Sequence, residues 1–114
     1  MFTLNDLGEY EAKLNGITFV CDNADTGSET TAKAIAECYN DKLSYIAEFM
    51  LSEGIEEYFG DVSETDIIKN LGASLINLDR KTITYADNSF DDMLIIEFKY
   101  TGVLESFFGL DIDG

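Results

Sequence analysis

The residues able to do chemistry in this 114-residue chain are almost all carboxylic acids: 23 Asp and Glu stand against 7 Lys and Arg, and histidine is absent. Without histidine the commonest general base, metal ligand and triad member is missing, so hydrolases built on Ser–His or Cys–His pairs are excluded. Carboxylate pairs of the kind glycosidases use remain chemically open, but 23 acids in so small a chain single out no pair. Zinc would need four ligands drawn from Cys21, Cys38 and distant carboxylates, an unfavourable set. The acidic loops Asp22 to Glu29 and Asp111 to Gly114 look like calcium loops. Neither places ligands, glycine and a final glutamate at the EF-hand spacing, and capping and turn formation account for their aspartates. Gly27-Ser28 ahead of a helix is a phosphate-cradle geometry, but Asp22, Asp25 and Glu29 would repel the anion.

What the acids do collectively is more informative. A formal net charge of -16 repels nucleic acids and anionic membranes and steers basic proteins toward the surface, with no basic stripe to oppose it. Solubility alone accounts for part of this charge. Its distribution is uneven, however: Leu43 to Ile68 holds no Lys or Arg but carries Glu48, Glu53, Glu56, Glu57, Asp61, Glu64 and Asp66, interleaved with Tyr58 and Phe59. A second cluster sets Phe90 among Asp87, Asn88, Ser89, Asp91 and Asp92. Both suit a Lys- and Arg-rich partner. The competing reading of the first is a solvated face with ordinary cap and dipole preferences. For Phe90 the choice is between an anchor for a partner's pocket and an aromatic folded back on its own core.

The elements that must carry these acids follow from periodicity. Tyr10, Ala12 and Leu14 alternate before Asn15-Gly16, and Ile17, Phe19 and Cys21 alternate after it, which predicts a type I′ hairpin. Ser28 is the expected N-cap of a long helix whose apolar stripe runs Ala32, Ile35, Ala36, Tyr39, Leu43, Ile46, Ala47 and Met50, with Gly54 as its stop. Ser63 to Asp66 makes a near capping box for a second helix, Val62 and Ile67 have the spacing of a hydrophobic staple, and Gly72 marks that helix's end. Residues 55–60 between the helices fit either a helical turn or an extended piece.

From Ala73 the period becomes two, predicting strands at about Ser74 to Leu78, Thr82 to Ala86, Met93 to Tyr100 and Leu104 to Ile112. Tight turns fall at Asp79-Arg80-Lys81 and Thr101-Gly102. The strand through Leu94, Ile96, Phe98 and Tyr100 has a half-apolar second face, which reads as a central, covered strand. Together these give one α+β domain over residues 1–114: a hairpin, two helices and a four-strand meander, forming an antiparallel sheet of about six strands with the long helix across one face. A chain this long buries roughly two thirds of the surface its unfolded form exposes, and 8 Phe and 6 Tyr supply the core. The two cysteines show no metal or redox spacing and leave open whether they are joined. With no leader pattern or membrane-length apolar run, the expected compartment is the cytoplasm.

The run Ile46-Ala47-Glu48-Phe49-Met50, then Gly60, then Ile67-Ile68-Lys69-Asn70-Leu71-Gly72 resembles small acidic bacterial immunity proteins of contact-dependent growth inhibition and related polymorphic toxin systems. Thr82-Ile83-Thr84-Tyr85, the loop through Asp91-Asp92 and the ending Phe107 to Gly114 fit the same pattern. The resemblance covers Tyr45 to Gly114 and rests on structural rather than chemical motifs. It implies a non-enzymatic antitoxin that binds a basic toxin domain, often a nuclease, and blocks its active site or substrate groove without a cofactor. Glu48, Glu53, Glu56, Glu57, Tyr58, Asp61, Glu64, Asp87, Phe90, Asp91 and Asp92 are the expected contact residues. Two other readings compete: an acidic nucleic-acid mimic inhibiting a restriction or CRISPR enzyme, and a carboxylate-based metal-binding module.

Overall fold

The structure, a computed structural model, describes residues 2–90 and 93–113. Its elements are β1 (Thr3–Leu4), β2 (Tyr10–Leu14), β3 (Ile17–Cys21), α1 (Thr26–Ser52), α2 (Glu56–Phe59), α3 (Glu64–Asn70), β4 (Leu75–Asn77), β5 (Thr82–Tyr85), β6 (Ile95–Thr101) and β7 (Ser106–Asp113). The β2–β3 hairpin turns at Asn15 (φ 51°) and Gly16 (φ 80°), the paired positive values of a type I′ turn. Its register sets Ala12 against Phe19 and Leu14 against Ile17, so their side chains share the core face.

Helix α1 starts earlier than Ser28. Asp25 is the N-cap, and its Oδ1 accepts the Ser28 N–H at 2.8 Å and the Ser28 hydroxyl at 3.2 Å. Ser28 therefore occupies the position that receives a cap, not the one that provides it, because the helix begins at Thr26 and its third N–H, that of Ser28, points back at the Asp25 carboxylate. The helix closes in a Schellman motif: Gly54 (φ 84°) donates to the Leu51 carbonyl at 3.2 Å and Ile55 to that of Met50 at 3.1 Å, while the side chains of Met50 and Ile55 are both fully buried. Residues 56–59 then form a helical turn that Gly60 ends. At α3 the reciprocal capping box is complete, with Asp66 N–H to Ser63 Oγ at 3.1 Å and Ser63 N–H to Asp66 Oδ2 at 3.0 Å.

The sheet has seven strands rather than six, in the order of the chain. The extra strand is β1, a two-residue piece paired with β2 and too short to leave a periodic signal. The sequence predicts an antiparallel sheet throughout, but β3 and β4 are parallel, with Thr18 opposite Leu75 and Val20 opposite Asn77. The three helices carry the chain from one end of the sheet back to the other, so β4 enters in the same direction as β3, as in any βαβ crossover. From β4 onward the meander is antiparallel. The last strand begins at Ser106 and not Leu104, because Leu104 adopts φ 56° within the turn and is fully buried.

All three helices lie on one face of this sheet. Phe19, Ile76, Ile83, Tyr85, Ile96, Phe98 and Tyr100 from the strands meet Ile35, Ile46, Met50, Ile55, Ile67 and Leu71 from the helical side in a single core. Phe98 is its aromatic centre, 5.4 Å from Phe49, 5.7 Å from Phe107 and 6.1 Å from Tyr85 by ring centroids. No helix covers the other face among the described residues, although Val20 and Thr82 are buried on it. On β6, Ile96, Phe98 and Tyr100 are buried while Ile95, Glu97, Lys99 and Thr101 are exposed. The expectation of a covered second face fails on β6, where Ile95 is exposed, while the strand is interior, paired with β5 and β7 and one place from the edge. Cys21 and Cys38 are free. No helix of the described residues is long and apolar enough to cross a membrane.

Candidate acidic interaction surface

The chain makes one sharp reversal after another between Met50 and Gly60, and each leaves its acids outside. Packing Ile55 into the core forces Glu53, Glu56 and Glu57, its neighbours on either side, to face solvent. Asp61 is exposed as well, and Glu64 is half-buried in the first turn of α3, where a carboxylate favours the positive end of the helix dipole. Tyr58 stands out from the same segment with 57 % of its surface exposed, its ring 6.3 Å from that of Phe59.

The loop that carries Asp87 is fixed by four contacts. Asn88, almost fully buried, donates from Nδ2 to the carbonyls of Tyr85 at 3.1 Å and Leu94 at 2.9 Å, pinning the β5–β6 loop at its root. The Ser89 N–H donates to the Asn70 carbonyl at 2.8 Å, tying the loop to the end of α3. Phe90 then stacks on Phe59, centroids 4.5 Å apart and planes 19° from parallel. Phe90 is therefore half-buried and folds back on its own chain, so the reading of it as a free anchor is corrected. The stack brings the loop that carries the exposed Asp87 against Phe59, which lies between Glu57 and Asp61 in the chain. Asp91 and Asp92 lie outside the described residues.

Glu48 does not belong to this surface. It sits about 1.4 turns earlier on α1 and lines a groove of about 570 Å³ with Lys42, Tyr45, Phe49, Leu104 and Phe107. The Lys42 ammonium lies 5.2 Å from the Tyr45 ring centroid in the same groove. Counting residues along the chain grouped Glu48 with Glu53, whereas helix geometry turns them to different sides.

Chemical centres are sparse elsewhere. Among the described residues no group of three His, Cys, Asp or Glu side chains converges as a metal-binding set. The N-terminus of α1 is occupied by its own Asp25, whose carboxyl is held below the usual range by the Ser28 bonds. Sequence reasoning missed one polar feature, the buried pair formed by the hydroxyls of Tyr39 and Tyr85, 2.5 Å apart. Alternation marks Tyr85 as inward-facing and the helical stripe does the same for Tyr39, so an inward phenol on each element was the available signal. No protein-family model, curated protein or solved structure matches the chain.

Proposed function

We propose that this chain is a binding protein that neutralises a basic protein partner through the acidic surface built by Glu53, Glu56, Glu57, Asp61 and Asp87 around Tyr58. The observation that supports it best is the Phe59–Phe90 stack, which unites two acidic segments far apart in the sequence around one exposed aromatic. Tyrosine and arginine dominate interface energetics, and carboxylates at such a surface pair bidentately with guanidinium groups that would otherwise hold phosphate. The family resemblance extends this reading to an immunity protein acting in the cytoplasm on a toxin domain, with a nuclease as the natural basic target. Occluding the nuclease's phosphate-binding groove then accounts for inhibition without any catalytic step in this chain.

The test is retention of proteins from the native strain on the immobilised chain at low and high salt, repeated with Glu53→Lys, Glu56→Lys and Glu57→Lys combined. The expected result is a basic protein retained at low salt by the wild type, weakened at least tenfold by the triple reversal, and non-toxic when co-expressed with the wild-type chain. Retention unchanged by the reversal would sink the assignment of this surface, and a retained protein that is neither basic nor toxic would sink the immunity reading.

A further inference from the structure

The two edges of the sheet are treated differently. At one side the terminal strand, β1, is only two residues long, a length that offers little to a pairing strand. At the other side is β7, eight residues and the longest strand of the sheet, with no residue fully buried. It carries neither lysine nor proline, the residues that commonly protect an edge. What interrupts it is a bulge, where the pairing jumps from Glu97–Asp111 to Lys99–Phe108 with Gly109 at φ 69°, and its only charges are the acids Asp111 and Asp113. Beyond the bulge, residues 111–113 resume regular pairing against Glu97, Ile96 and Ile95.

The cross-strand rows at that end say what kind of strand the edge suits. On the face that no helix covers, Thr84, Glu97 and Asp111 form one row, with the Thr84 hydroxyl donating to Glu97 Oε1 at 2.9 Å. Glu97 and Asp111 are direct cross-strand partners of like charge, an arrangement that disfavours pairing. The next place in the row is beyond Asp111, off the edge of the sheet. A cation there would stand about 5 Å from Asp111, the ordinary cross-strand spacing, and would relieve the opposition. One residue on, Ile112 faces the opposite side, partnering the buried Ile96.

We infer that β7 accepts an extended segment of a basic partner as an added strand, with basic side chains opposite Asp111 and apolar ones opposite Ile112. The backbone donors and acceptors of the edge supply affinity and the alternation supplies selectivity. This rests on the reading of the chain as a binder of basic proteins, but it uses a surface separate from Glu53–Asp61.

The probe is a capped peptide of alternating lysine and valine, added at low salt to isotope-labelled protein and followed by amide exchange and chemical shift. The expected result is at least tenfold slower exchange at alternate amides of residues 110–112. The same peptide N-methylated throughout keeps its charge but loses strand pairing, and should give no protection. Asp111→Lys, at an exposed position opposite Glu97, should keep the fold and weaken the peptide at least tenfold. Shifts confined to residues 53–61, equal protection by the N-methylated peptide, or no binding of either peptide would each overturn the inference. Shifts confined to residues 53–61 would overturn it while leaving the proposed acidic surface standing. Protection at β7 together with partner retention indifferent to the Glu53, Glu56 and Glu57 reversals would do the opposite.

Discussion

The Tyr39–Tyr85 hydroxyl pair shows what one hydrogen bond in a core does to its members. Burial holds the phenol of Tyr85 well above its ordinary pKa and raises that of Tyr39, while the Tyr85 and Ser74 bonds to Tyr39 pull the latter back. Burial also pushes Tyr100 up to about 12. Each group keeps its proton longer in the folded than in the unfolded chain, so its contribution is complete below the unfolded value near 10 and is lost as pH rises through the folded value. Stability in urea should therefore fall steadily above pH ~10, with phenolate absorbance from these three tyrosines appearing only near unfolding. Tyr39→Phe leaves the Tyr85 hydroxyl buried without its partner and should cost about 1–3 kcal/mol in urea denaturation, and adding Tyr85→Phe should cost less than the sum of the single changes. At acid pH the sign reverses. Ser63 and Ser28 hold Asp66 and Asp25 below the usual carboxylate range, so both caps are intact above pH ~4 and are lost as pH falls through the lowered values.

Among the elements, the end of α3 does two jobs at one residue. Gly72 follows the helix with φ 76°, and a Cβ placed there would lie 2.5 Å from the Asp87 carbonyl oxygen. The positive φ ends the helix, and the missing side chain lets the acidic β5–β6 loop close against it. Gly72→Ala combines backbone strain with a backbone clash, so a loss of about 2–4 kcal/mol is expected from thermal or urea unfolding. Because the loop must move, Phe90 should also leave Phe59, visible as shifted aromatic resonances. Gly72 was legible as a stop, since glycine beyond a capping-box helix has that meaning on its own. Its contact with Asp87 was not, because nothing local links the two positions.

For the whole molecule the governing quantity is the charge of -16, which acts on folding and on binding in opposite directions. Self-repulsion opposes the compact state, so raising salt from about 0.05 to about 0.5 M should increase the melting temperature through screening. The same screening should slow association with a basic partner by tenfold or more, with a smaller change in dissociation. Differential scanning calorimetry and stopped-flow association at matched salts check the pair. A partner complex that strengthens with salt would place its affinity in apolar contacts and not in the acidic surface.

By itself the sequence determined what depends on near neighbours: the Asn15-Gly16 hairpin, the extent of the helical stripe, the Ser63–Asp66 cap, the period-two strands and the exclusion of histidine chemistry. These are set by φ preferences, by donors three residues from an acceptor and by periodicity, all of which a short window contains. Its local errors, Ser28 for Asp25 as cap and Leu104 for Ser106 as the start of the last strand, came from two cap-forming residues three positions apart and from an apolar residue that the turn buries. Tertiary structure alone decided that β4 joins β3 in parallel, that β6 lies beside an edge, and that Phe90 turns inward to Phe59. Each of these depends on which faces the core buries after the helices cross the sheet. That choice is made by the packing of residues dozens of positions apart, and it is also what gathers separated acids onto one surface and leaves β7 at the margin.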